Sequence, residues 1–101
     1  MNNKIVFMGT PSISAHILKS LYQNGYNIVS VYTQPPQKSN RGQKVNKSPV
    51  QGFSETLNLE FRTPQSLKNN DEEFEYLKIL NPDLVIVVAY GNIIPKEMLN
   101  L

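Results

Sequence analysis

Cysteine is absent from the 101-residue sequence. That absence excludes a disulfide scaffold, a thiolate metal site and a cysteine nucleophile. Long apolar runs are missing too. The longest, residues 84–89, falls far short of the roughly 20 residues that span a bilayer, and residues 1–9 hold too short an apolar stretch for a signal peptide. No membrane partner is expected, and the default setting is a reducing cytoplasm. Acids are missing from residues 1–54, which carry six basic side chains, Lys4, Lys19, Lys38, Arg41, Lys44 and Lys47. All eight acids fall from Glu55 onward, beside four basic residues. The formal net charge of +2 therefore conceals a split. It means either an anionic partner for the first half or two solvated faces of opposite sign.

What is present suffices for one modest core. Hydrophobic residues make up 40% and charged residues 18%, unlike a disordered tail. A chain this long buries only roughly 60–65% of its unfolded surface. Residues 4–8 are a short apolar run ending at Gly9, the pattern of a buried strand. Thr10 is expected as a hydroxyl N-cap and Pro11 as the first helical residue. Ile13, Ile17, Leu18, Leu21 and Tyr22 then recur at helical spacing, and Asn24-Gly25 closes that helix. Residues 27–33 are a second strand, rich in β-branched and aromatic residues. Residues 34–47 are expected as a long polar loop with Val45 its only apolar residue. Ser48 with Gln51 and Asn70 with Glu73 match capping boxes opening two further helices. Residues 59–61 are a brief third strand, residues 84–89 a fourth, and a last helix starts at Pro95.

This alternation predicts an α/β fold, a Rossmann-like parallel sheet with helices on both faces and strand order 3-2-1-4. The fourth strand would be an apolar edge with nothing left to cover it, so the chain is expected to be a truncated piece of a larger domain.

Ligands of such sheets bind beyond the carboxyl ends of the strands, where strand order reverses. Here the walls of that crevice are Gly9, Thr10 and Pro11 on one side and Tyr90, Gly91 and Asn92 on the other. The three-glycine dinucleotide fingerprint and its acidic partner are absent, which argues against nicotinamide binding. The phosphate-binding loop ending in Gly-Lys-Ser/Thr is absent as well. His16, the single histidine, sits mid-helix and is expected at the surface. Asp71, Glu72, Glu73 and Glu75 cluster at a helix start and are expected as a solvated face. No catalytic or metal-ligating set is predicted. Lys38, Arg41, Lys44 and Lys47 recur every third residue with no acid between them, a spacing suited to phosphate contacts.

Five segments in one order resemble the methionyl-tRNA formyltransferase family. They are Val6-Phe7-Met8-Gly9-Thr10-Pro11, Val31-Tyr32-Thr33-Gln34-Pro35, Arg41-Gly42-Gln43-Lys44, Ser48-Pro49-Val50 and the run from Val87 to Pro95. The resemblance implies formyl transfer from 10-formyltetrahydrofolate to the amino group of initiator methionyl-tRNA. It implies that Ala89, Tyr90, Gly91, Asn92, Ile93 and Ile94 form part of the folate pocket, beside a crevice shaped by Gly9, Thr10 and Pro11. The basic loop, led by Arg41, would reach for the tRNA acceptor arm with Lys38, Lys44 and Lys47. Ile13 departs from the aromatic residue common at that position in bacterial relatives. The family's Asn-x-His and its more distant Asp do not occur here. The chain is thus expected to be the N-terminal portion of the catalytic domain, lacking the catalytic motif and the C-terminal tRNA-binding domain, and inactive by itself. The full-length enzyme is expected to be a monomer, and the fragment to self-associate through its edge strand. Two alternatives remain: a fragment of a nucleotide-sugar formyltransferase, and a stand-alone nucleotide- or RNA-binding half-domain.

Overall fold

The computed structural model describes residues 3–38 and 45–101. Arg41 and Lys44, two of the four expected RNA contacts, lie outside the described residues. The elements in order are β1 (Ile5–Gly9), α1 (Ser12–Gln23), β2 (Ile28–Tyr32), β3 (Gln37–Lys38), β4 (Val45–Asn46), α2 (Pro49–Thr56), β5 (Phe61–Arg62), α3 (Asp71–Leu80), β6 (Leu84–Val88) and α4 (Lys96–Leu99). The main sheet runs β5-β2-β1-β6 and all its pairs are parallel. This is the expected third-second-first-fourth order. β1 and β6 pair without a break from Ile5 opposite Leu84 to Gly9 opposite Val88.

Two-residue alternation sorts the strand side chains into two cores. Val6, Met8 and Tyr32 pack with Leu67, Leu77, Tyr90 and Met98 on the face carrying α3 and α4. Phe7 and Val31 pack with Leu18 and Val50 on the face carrying α1 and α2. Helices therefore cover both faces, as the alternation of elements requires. Residues 34–47 depart from expectation. Gln37 pairs with Asn46 and Lys38 with Val45 in a short antiparallel ladder. Pro35-Pro36 biases the chain toward extended backbone, so it arrives at Gln37 already suited to pairing.

Helix ends account for the remaining boundary shifts. After α1, Gly25 has φ +82°, its N–H bonds to Tyr22 O, and the N–H of Tyr26 bonds to Leu21 O. That pattern is a Schellman motif. After α2, Asn58 takes the same left-handed position at φ +56°, with Asn58 N bonded to Glu55 O and Leu59 N to Ser54 O. The N–H of Leu59 is thereby committed to the helix, so β5 begins at Phe61 rather than at the expected residue 59. Both predicted capping boxes are half made. Ser48 Oγ accepts from Gln51 N at 2.9 Å and Asn70 Oδ1 from Glu73 N at 3.1 Å. The side chains of Gln51 and Glu73 turn to other partners instead of reaching back.

Candidate functional site

The crevice predicted between the first and fourth main strands lies at the carboxyl ends of β1 and β6, and its walls are stitched together. Gly9 is there because nothing larger fits. A Cβ on it would stand 2.6 Å from Ser14 Cβ and 2.7 Å from Val88 O. That closeness lets Ser14 Oγ donate to Val88 O at 2.5 Å. Thr10 does not cap α1, as the sequence had suggested. Its hydroxyl donates across the crevice to Tyr90 O at 2.6 Å and accepts from Gln34 N at 3.3 Å. Pro11 takes the N-cap position with no side-chain cap bond, one residue earlier than its expected place in the first turn. Three loops, after β1, β2 and β6, thus meet at Thr10.

The segment after β6 has a backbone that ordinary side chains resist. Ala89 has φ +51° and Gly91 φ +94°, left-handed values that cost a non-glycine residue of order 1 kcal/mol. Tyr90 anchors the segment. It is 2% exposed, and its ring meets Tyr32 edge-on at 6.5 Å. Burial pushes the Tyr90 hydroxyl above its ordinary range. Asn92 Nδ2 donates to Pro64 O and to Tyr90 Oη, both at 3.4 Å. Ile93 and Ile94, both expected to cover a ligand, part company. Ile93 is 87% exposed, whereas Ile94 packs on the α3–α4 core. A cavity of about 370 Å³ lies on that same face, lined by Met8, Leu77, Val85, Val87, Ile94 and Met98 among others.

Of the expected RNA contacts, Lys38 is exposed on β3 and Lys47 follows β4. Lys47 Nζ pairs with Glu55 Oε1 at 2.9 Å, and this bond, with a weaker one from Gln51, holds the Glu55 carboxyl below its ordinary range. His16 is exposed.

Glu73 overturns the expectation of a wholly solvated acidic face. It is 5% exposed, and its Oε1 accepts from Tyr32 Oη at 2.5 Å and from Arg62 Nε at 2.7 Å. The Arg62 guanidinium lies 3.9 Å over the Tyr76 ring, and Tyr76 Oη donates to Ser30 Oγ at 3.0 Å. Burial, then the bond to Glu73, raises the Tyr32 hydroxyl far above its ordinary range. The bond to Glu73 likewise raises Arg62. Sequence inspection missed this cluster because three of its members sit on different elements. The one available signal was Glu73 falling one residue before Phe74 and four before Leu77, on the apolar stripe of α3.

The described residues form an open parallel α/β sheet with a crevice at its strand-order reversal, where such sheets bind ligands. Residues 3–101 match the formyl transferase family, and the chain belongs to it. It is 65% identical over 101 residues to a methionyl-tRNA formyltransferase from Pelagibacter ubique, covering 100% of this chain and 33% of that protein. The methionyl-tRNA formyltransferase of Caldanaerobacter subterraneus subsp. tengcongensis is 44% identical over 98 residues, 97% of this chain and 32% of that protein. That of Francisella tularensis subsp. mediasiatica is 45% identical over 97 residues, 96% of this chain and 31% of that protein. The chain spans about a third of the length of these relatives. Among the described residues no helix is long and apolar enough to cross a membrane.

Proposed function

We propose that the chain is the N-terminal portion of the catalytic domain of a cytoplasmic methionyl-tRNA formyltransferase. The enzyme moves a formyl group from 10-formyltetrahydrofolate to the amino group of methionyl initiator tRNA. A C–N bond forms between the formyl carbon and the methionine nitrogen as the bond to N10 of the folate breaks. The amine gives up a proton and N10 receives one. The observation that carries this reading is the 65% identity across the whole chain to a protein of that name.

In this reading residues 89–94 form one wall of the folate pocket. The residues fit one side of a flat ring: Ala89 and Gly91 are exposed with left-handed backbone, and Ile93 offers exposed apolar surface. Gly9, Thr10 and Pro11 shape the crevice beside it. Lys38, Arg41, Lys44 and Lys47 supply electrostatic contact to the acceptor-arm phosphates. The groups that handle the amine and the oxyanion lie in the remaining two thirds of the enzyme. The 101-residue chain by itself is inactive and self-associates through the uncovered side of β6, whereas the complete enzyme is a monomer.

The test is formylation of methionyl-tRNA by the complete protein with 10-formyltetrahydrofolate as donor, read by mass spectrometry of the released amino acid. Product on methionyl-tRNA is expected. Ile93→Asp should raise the KM for the donor and leave that for tRNA unchanged, and Arg41→Ala with Lys44→Ala should do the reverse. Formylation of an amino nucleotide sugar in preference to tRNA would overturn the assignment.

A further inference from the structure

Gln34 opens the basic hairpin, yet its side chain reaches the other end of the crevice. It follows β2 by two residues and leads through Pro35 and Pro36 into β3. Its backbone N–H is held by Thr10 Oγ1 at 3.3 Å. Its Nε2 donates to Asn92 Oδ1 at 3.2 Å. The same nitrogen occupies the space over Gly91, where a Cβ would stand only 2.7 Å from it. One side chain therefore passes over the carboxyl end of β1 and presses on the segment after β6.

The geometry points to Gln34 as a positioning residue that fixes the Gly91-Asn92 turn of the formyl-donor pocket and ties it to the base of the basic hairpin. The inference rests on the reading of residues 89–94 as part of that pocket. Two left-handed residues, Ala89 and Gly91, leave the segment with backbone alternatives that tertiary contacts must select among. Tyr90 is fixed by burial and by Thr10. Beyond it the turn depends on Asn92, whose two Nδ2 bonds are long at 3.4 Å. The bond from Gln34 is the shortest that the Asn92 side chain makes among the described residues. It also decides which way the amide faces, since only a donor can satisfy Oδ1. The two prolines after Gln34 have fixed φ, which narrows the paths the chain can take between Gln34 and β3.

A double-mutant cycle in the complete enzyme tests this, with Gln34→Met, Asn92→Ala and the pair, measured with the donor varied at saturating methionyl-tRNA and then with methionyl-tRNA varied at saturating donor. Each single variant should raise the donor KM roughly tenfold, as expected for loss of one positioning hydrogen bond. The kcat should stay within about twofold, with the tRNA KM unmoved. The pair should be no worse than Asn92→Ala, because Gln34 acts through Asn92. Multiplying effects, or an unchanged donor KM in Gln34→Met, would overturn the proposal while leaving the pocket reading intact if Asn92→Ala still raises that constant. An unchanged constant in Asn92→Ala as well would show that the pocket reading itself had failed, and the inference with it. Should Gln34→Met not fold, Gln34→Glu removes the same donor at the same length and reads the same constant.

Discussion

β1 and β6 are both five-residue apolar strands, IVFMG and LVIVV, paired to each other in unbroken register. Every residue of β1 is buried, whereas Leu84, Val85 and Val87 of β6 are 51, 41 and 48% exposed. The two strands read alike in sequence because apolar runs report suitability for a sheet interior, not occupancy of one. β1 has a strand on either side and helices over both faces. β6 has a neighbour on one side only, and its outer side chains edge the 370 Å³ cavity.

The largest effect should come from breaking that contrast directly. Phe7→Ala, at a fully buried site in β1, should cost about 3–5 kcal/mol in a urea unfolding series. Val85→Ala in β6 should cost under about 1 kcal/mol. Both are measured at a dilution that keeps the chain monomeric, where equal costs would mean that the outer side of β6 is covered within the chain itself. Next in size is Glu73→Ala, expected to cost about 2–3 kcal/mol, because it strands Arg62 and the Tyr32 hydroxyl beside the β1–β2 core. A surface-like value below about 0.5 kcal/mol would return Glu73 to the solvated face expected from sequence.

Alkaline titration should give a smaller effect. Tyr32 and Tyr90 are held above the ordinary phenol value of 10.0 in the folded chain. Above that pH the unfolded chain loses phenolic protons that the folded chain keeps. The stability these groups contribute is therefore complete below pH 10 and declines as pH rises past it. Tyr32→Phe should flatten the decline seen in Tm against pH, and an unaltered slope would place the effect elsewhere. The smallest effect belongs to Lys47→Ala. It should leave Tm unchanged, since an exposed pair contributes little, while the Glu55 carboxyl titrates at a higher pH by NMR once its lysine is gone.

Much of the fold was legible because periodicity and punctuation are local. The strand–helix alternation, the strand order and the helix stop at Gly25 all follow from short stretches of sequence. What stayed hidden was set by partners distant along the chain. Thr10 looked like a cap, and a local reading cannot see that Tyr90 O, eighty residues away, claims its hydroxyl. Glu73 looked solvated because its acidic neighbours are, and Arg62 and Tyr32 belong to other elements. The β3–β4 ladder was missed because its four residues, with Val45 the single apolar one, leave no alternating apolar pattern. For the crevice, the sequence marked residues at the carboxyl ends of β1 and β6 that the structure does bring together, Thr10 and Tyr90 among them. It marked Gln34 only as one member of the family-like segment from Val31 to Pro35, without a role, because that role lies in what its amide touches.

The bond between Thr10 and Tyr90 also has a consequence in time. At translation rates of roughly 5–20 residues per second, about 4–16 s separate the appearance of Thr10 from that of Tyr90 on the ribosome. Throughout that interval the edge of β1 that will receive β6 has no native strand to pair with. The most completely buried strand of the finished protein is thus, for a while, its most vulnerable one.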